Sequence, residues 1–209
     1  MTEDQYKFLK IIEGEYIASY DLLNSMPNLT LSIYGGTKLE EGGKTYNEIV
    51  DLGHKLSNMG WGMVSGGGPG AMKAAIVGGN LGKTETTAIK VDIKKEKSPK
   101  IAANEFLFTN FAPRKFALRQ SDVYLFVPGG FGTFDEFFEI VTLQKVDMIA
   151  IKPVILYKKD FWEGMLKWLT DTVLKDNFIT QEELDSWIIL DTPEEVVKYL
   201  DEHSKKIVK

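Results

Sequence analysis

The sequence predicts an α/β fold, a doubly wound and mostly parallel sheet with helices on both faces. Three observations lead there. Short apolar runs alternate with amphipathic stripes of about 10–15 residues, the rhythm of strand–helix–strand units. Glycine-rich turns stand where several of those runs give way to helices. No Pro/Ser/Gly-rich linker or shift in composition divides the 209 residues, so residues 1–209 are expected to form one domain around one core.

The elements follow in order. Phe8, Ile12, Tyr16, Tyr20 and Leu23 recur on one helical stripe, which Met26-Pro27-Asn28 ends. Leu29 to Tyr34 is rich in β-branched and apolar residues and closes on Gly35-Gly36, as a strand would. Tyr46, Ile49, Val50, Leu52 and Leu56 mark a second helix, with Gly60 as its stop. Gly62 to Ser65 is a short strand entering Gly66-Gly67-Gly68-Pro69-Gly70, and Ala71 to Val77 is the next helix. Thr86 to Ile93 alternates like a strand, and Glu105 to Phe108 suits another.

Ala112 to Gln120 is expected to be helical, and Val123 to Val127 is a continuous apolar strand. Phe131 to Lys145 then forms a helix with Phe134, Phe137, Phe138 and Val141 toward the core. A strand at Pro153 to Tyr157 and a helix at Phe161 to Leu174 follow, the latter's Phe161, Trp162 and Trp168 suiting either an interface or the core. Thr180-Gln-Glu-Glu183 and Thr192-Pro-Glu-Glu195 match the capping box, in which hydroxyl and carboxylate satisfy each other's backbone N–H groups. Trp187 to Leu190 between them is the last strand. Right-handed crossovers between such strands give an open, Rossmann-like sheet.

Composition excludes several classes. A formal charge of −5 argues against a nucleic-acid surface. Lys94, Lys95, Lys97 and Lys100 cluster, but Glu96 interrupts them, as in a solvated loop. Without cysteine there is no disulfide, thiolate site or cysteine nucleophile, which fits a reducing cytoplasm. His54 and His203 are too few for a histidine zinc site and suit surface or packing roles, so no metal is expected. The start of the chain, with Glu3 and Asp4, lacks a signal peptide's layout, and no apolar run approaches the ~20 residues that span a bilayer. A soluble cytoplasmic protein with no membrane partner is expected.

Ligands of such sheets bind beyond the carboxyl ends of the strands. The turns at Gly35-Gly36, Gly66 to Gly70 and Gly129 to Gly132 lie there, and glycine lets backbone N–H groups approach an anion at a helix start. Tight turns use glycine for geometry as well, so the count of three carries the inference. Gly66 to Ala71 also satisfies G-x-G-x-x-A, with Asp92 as the nearest acidic partner, but that dinucleotide fingerprint normally follows the first strand. The third turn is sharper. Pro128 stops a strand, Gly129, Gly130 and Gly132 free the backbone, and Thr133 sets a hydroxyl at the helix start. Glu136 and Glu139 can lie near the same mouth. Acidic residues there either complement the helix dipole or serve a part of the ligand other than its phosphate.

Pro128-Gly-Gly-Phe-Gly-Thr-Phe-Asp-Glu136 matches the P-G-G-x-G-T-x-x-E signature of the LONELY GUY family, and the chain resembles that family further. Arg114-Lys115 matches its R-K pair, Ser121-Asp122 precedes the strand, and Ser65 to Gly70 followed by Met72 matches its other glycine loop. The resemblance covers roughly residues 30 to 175. It implies a nucleoside 5′-monophosphate phosphoribohydrolase, a family long misnamed lysine decarboxylase, acting without cofactor as a homodimer or larger homo-oligomer. It carries the catalytic pair to Arg114 and Glu136. The substrate-binding positions become Lys115, Gly129, Gly130, Gly132, Thr133 and Thr142, with Gly67 and Gly68 in the other loop. A further acidic ligand residue would fall near Glu96.

The chain departs from the family where G-S-x-R becomes Gly35-Gly36-Thr37-Lys38 and M-E-A-A-N becomes Met72-Lys73-Ala74-Ala75-Ile76, which bears on base preference. The implied reaction passes through an oxocarbenium-like state that Glu136 would stabilise while positioning or deprotonating water. Arg114, whose guanidinium does not readily give up a proton, suits orienting Glu136 rather than general acid work. A non-catalytic nucleotide-binding protein would use the same loops. Decarboxylation would need a pyridoxal-phosphate lysine, for which no lysine stands in a recognisable setting.

Overall fold

A computed structural model describes residues 1–26, 29–92 and 100–207. Seven strands among these residues form one sheet. They are β1 (Thr30–Tyr34), β2 (Gly62–Ser65), β3 (Thr86–Val91), β4 (Asn104–Phe108), β5 (Val123–Phe126), β6 (Val154–Tyr157) and β7 (Trp187–Leu190). Their order is β4-β3-β2-β1-β5-β6-β7, and all six pairings are parallel. The winding reverses between β1 and β5, so the chain leaves those two neighbours in opposite directions and opens a crevice at their carboxyl ends.

Helices cover both faces, which is why β1, β2, β5 and β6 are buried throughout and why β5 and β6 read as continuous apolar runs. On one face α2 (Lys44–Asn58), α3 (Ala71–Asn80) and α8 (Pro193–Ile207) bring Ile49, Leu52, Leu56, Ala74, Val196 and Leu200 onto Leu31, Ile33 and Met63. On the other lie α1 (Glu3–Ser25), α4 (Phe111–Leu118), α5 (Phe131–Lys145) and α6 (Lys159–Trp168). Their Leu22, Leu118, Phe137, Ile140 and Trp162 pack against Phe126 and Leu156. Trp162 also satisfies its indole N–H on Tyr157 O at 3.0 Å. Both capping boxes form, at Thr180 before the short α7 (Gln181–Asp185) and at Thr192 before α8.

The structure corrects four expectations. The buried stripe of α1 runs through half-buried Ile12 and Tyr16 to Ser19 and Leu22, whereas Phe8 and Tyr20 are exposed. Only the second half of α1 rests on α4, where Tyr16 and Tyr20 meet the Phe116 ring. Phe138 is exposed rather than core-facing, because α5 buries Thr133, Phe137 and Ile140 instead. The helix expected at Phe161 to Leu174 widens into a π-helical turn over Leu169–Leu174, with Trp162 in the core and Trp168 exposed. The third strand ends at Val91; Ile93, Pro27 and Asn28 lie outside the described residues.

Gly35 is tightly packed at the carboxyl edge. A Cβ there would stand 2.3 Å from Val127 Cγ2 and 2.6 Å from Ala71 Cβ. Gly35→Ala should cost about 1–3 kcal/mol by overpacking, read as a lower urea midpoint at unchanged m-value.

Candidate active site

The three glycine turns meet. Gly36 N–H donates to Pro128 O at 3.0 Å, and Gly36 O accepts from Ala71 N–H at 3.1 Å. The first turn thereby ties the third turn to the start of α3. Helix α5 begins with Gly130 at its N-cap, and no side chain caps it. The N–H groups of its first turn have no partner within the helix, so they present partial positive charge toward the mouth. Thr133 is buried in that turn. A Cβ built on Gly130 or Gly132 would meet nothing within 4 Å, so packing gives no reason for glycine at either position.

Arg114 and Glu136 face each other across α4 and α5. Arg114 Nε donates to Ile89 O at 3.2 Å, which anchors the guanidinium against β3. Its Nη1 donates to Glu136 Oε1. The side chains are 9% and 14% exposed, so the pair is largely out of water. Burial pushes the Glu136 carboxyl above the ordinary carboxylate range, and the Arg114 charge pulls it back only in part. Gly66 makes room for the arginine, since a Cβ there would stand 2.2 Å from Arg114 Nη2. The second glycine turn therefore holds Arg114 as well as facing the mouth.

A second set of ion pairs flanks the first. Lys115 reaches Glu139 at 2.8 Å and Asp135 at 3.0 Å, and Arg119 reaches Glu139 at 2.6 Å. Burial alone would lower the Lys115 pKa, but its bonds to Glu139 and Asp135 outweigh burial and raise it. A narrow crevice behind Glu136 is lined by Tyr34, Lys115, Arg119, Glu136, Glu139 and Ile140. The Tyr34 hydroxyl is buried there with no hydrogen-bond partner among the described residues. An arrangement of that kind costs about 1–3 kcal/mol.

Of the residues read from the sequence, Arg114, Glu136, Gly129, Gly130, Gly132 and Thr133 converge on this mouth. Gly67 and Gly68 lie in the turn beside it, Gly67 with φ +69° against Lys90. Lys115 is adjacent but engaged by two carboxylates. Thr142 is exposed about 9 Å further along α5 than Glu136, and the fold does not bring it to the group. Glu139 belongs to the flanking clamp rather than the mouth. Ser121 and Asp122 serve the opposite edge, where Asp122 accepts from Thr30 N–H at 2.9 Å and Ser121 Oγ meets Ser32 Oγ at 2.8 Å.

The departures at Lys73 and Ile76 have structural uses. Lys73 pairs with Glu41 at 2.7 Å, and Ile76 packs in the core on Ala88 and Ala102. Glu96 and Lys94, Lys95 and Lys97 lie outside the described residues. Sequence reasoning missed Tyr34, the spacing role of Gly66, and Lys90, which pairs with Glu105 at 2.8 Å beside Gly67. Strand position could have flagged Tyr34 and Lys90, since each ends or nears the end of a strand at the ligand edge.

The family model described as possible lysine decarboxylase matches residues 70–200. A probable cytokinin riboside 5′-monophosphate phosphoribohydrolase of Oryza sativa subsp. japonica is 24% identical, over 99% of this chain and 83% of its own. A cytokinin riboside 5′-monophosphate phosphoribohydrolase of Arabidopsis thaliana is 26% identical over 83% and 82%. Among solved structures, a molybdenum cofactor carrier protein from Chlamydomonas reinhardtii superposes with a TM-score of 0.60 at 18% identity, over 83% of this chain and 96% of that one. At that identity the likeness concerns the fold alone. Among the described residues no helix is long and apolar enough to cross a membrane.

Arg114→Met would leave the Glu136 carboxyl buried without its counter-charge. Its pKa should climb further, measurable by 13C titration of the labelled carboxyl, assigned with Glu136→Gln. A folded-state pKa raised above the unfolded value gives stability at low pH that is lost as pH rises through the folded pKa. The variant should therefore lose about 3–5 kcal/mol at neutral pH and recover on acidification through that pKa.

Proposed function

The chain belongs to the LONELY GUY family, the family described as possible lysine decarboxylase, and on that premise we propose that it hydrolyses the N-glycosidic bond of a purine or cytokinin-type nucleoside 5′-monophosphate. The products are the free base and ribose 5-phosphate. The observation that carries the proposal is the placing of two functions on one helix. The uncapped start of α5 suits a phosphate, and Glu136, five residues beyond its first residue, is a buried carboxylate held by Arg114.

In this reading the phosphate rests on the first turn of α5 with Thr133, Gly130 and Gly132, and that remote binding fixes the sugar. The bond from C1′ to the base nitrogen breaks, its electron pair leaves with the base, and the sugar acquires oxocarbenium character. The Glu136 carboxylate stabilises that charge and takes a proton from the water whose oxygen bonds to C1′. The departing base takes its proton from solvent. Burial raises the pKa of Glu136 and so makes it a stronger base, with loss of activity on the acid side beginning above the ordinary carboxylate range. Arg114 stays charged and orients Glu136 through Nη1.

Decarboxylation finds no support at this mouth. A Schiff-base lysine is activated by a lowered pKa. Lys115 is raised by its carboxylate partners, and Lys152, which burial lowers, donates to Gln120 O and Ser121 O at the opposite sheet edge. The same proposal includes a homodimer or larger assembly in the cytoplasm. The outward stripe of α5 supports the assembly, with Phe131 94% exposed and Phe138 and Thr142 on the same side.

Liquid chromatography of the purified protein with a panel of nucleoside monophosphates should show free base released from at least one purine monophosphate. The same nucleoside without phosphate should lose about 100-fold or more in kcat/KM. Glu136→Gln should lose roughly 100-fold or more in turnover while still binding the nucleotide. Saturable binding by the unaltered protein without release of base would make it a nucleotide-binding protein instead.

A further inference from the structure

Tyr34 ends β1 at the crevice that Glu136 lines, and its ring stacks on Phe126 of β5 at 4.7 Å with 12° between planes. That stack fixes the phenol without help from its oxygen. A phenylalanine would pack identically, so packing does not explain the hydroxyl. Yet the hydroxyl is buried and has no hydrogen-bond partner among the described residues. The neighbouring Ser32 Oγ turns its proton to Leu118 O at 2.7 Å or Ser121 Oγ at 2.8 Å and forms no hydrogen bond with the phenol. Glu136, for its part, uses Oε1 for Arg114 and has no hydrogen bond at Oε2 among the described residues. Among the described residues, a donor without an acceptor thus shares a crevice with a carboxylate oxygen without a donor.

We infer that Tyr34 is a positioning residue whose hydroxyl donates to Glu136 Oε2 once substrate is bound, completing a two-point grip on the catalytic carboxylate. Hydrogen bonds of this type are often long in ligand-free sites and tighten in the substrate complex. Burial and then the nearby Glu136 charge push the Tyr34 phenol well above its ordinary range, so it keeps its proton and remains a donor. The other groups facing the pair are Arg114 and Lys115 from α4, Asp135 from α5 and Tyr124 from β5. Arg119 and Glu139 close the crevice on one another. The inference rests on the hydrolase reading for its catalytic meaning, but not for its geometry.

Tyr34→Phe keeps the stack and removes only the donor. A hydrogen bond to the ionised form lowers a carboxyl pKa. The acid limb of kcat against pH, which reports the substrate complex, should therefore move to higher pH by about half to one unit. The plateau at higher pH should stay within about twofold, and the thermal midpoint should hold or rise. A 13C titration of the labelled Glu136 carboxyl with AMP present should show the same upward shift. An unmoved limb, or an unmoved carboxyl titration, overturns the inference. If the unaltered protein releases no base from any monophosphate, the hydrolase reading falls by itself, and the carboxyl titration still decides whether Tyr34 grips Glu136.

Discussion

The carboxyl edge of the sheet is organised by the close approach of its first glycine turn to the other two. Gly36 spends its N–H on Pro128 and its carbonyl on Ala71, which ties the starts of α5 and α3 to a common point. Side chains on either side of it would forbid the approach. A Cβ at Gly35 or Gly70 would fall 2.3 Å from an existing atom, and one at Gly129 would fall 2.1 Å from Thr133 Oγ1. The reversal of winding between β1 and β5 makes a crevice available. The glycines make it shallow enough for backbone N–H groups to reach whatever binds there.

The buried ion pair follows from that arrangement. Once α5 is fixed by its first turn, Glu136 stands at a set height above the sheet. Arg114 can meet it because Gly66 leaves room for the guanidinium and Ile89 O holds it. The neighbouring pairs differ in kind. Lys115 to Asp135, with the carboxylate 60% exposed, belongs to a class worth about 0–1 kcal/mol. Arg114 to Glu136 is mostly withdrawn from water, where removing one partner is far more damaging than the pair's net contribution suggests. Two opposing effects act on Glu136 and burial is the larger, so the site holds a carboxylate poised above its usual range rather than a fully quenched one.

Much of this was legible in the sequence because it depends on local chemistry. Strand positions, the extent of α5, both capping boxes and the three turns were readable from apolar runs, glycine and hydroxyl–carboxylate spacing. The parallel architecture followed from alternation alone. What could not be read depends on distant contacts. The face of α1 is set by where it crosses α4, so periodicity chose Phe8 and Tyr20 while the fold buries Ser19 and Leu22. Phe138 repeats the error on α5. Gly66 looked like part of an anion loop, and only the approach of Arg114, from a helix 48 residues later, gives it a second use. Tyr34 read as one more apolar strand residue; its place at the end of β1 could have flagged it, but not that it lines the same crevice as Glu136.

The same geometry bears on how an anion would be held. The resemblance gave Lys115 to the ligand, whereas the fold engages it with Asp135 and Glu139. To serve a phosphate it would have to leave two carboxylates that already raise its pKa. The start of α5 offers N–H groups that no side chain caps, at no cost in broken ion pairs. Backbone dipoles are therefore the readier phosphate ligand, and Lys115 is better placed to hold α4 against α5. That division keeps Arg114 opposite Glu136 whether or not the mouth is filled. On the hydrolase reading it leaves the carboxylate's second oxygen, and the Tyr34 hydroxyl that shares its crevice, as the groups that would respond to substrate.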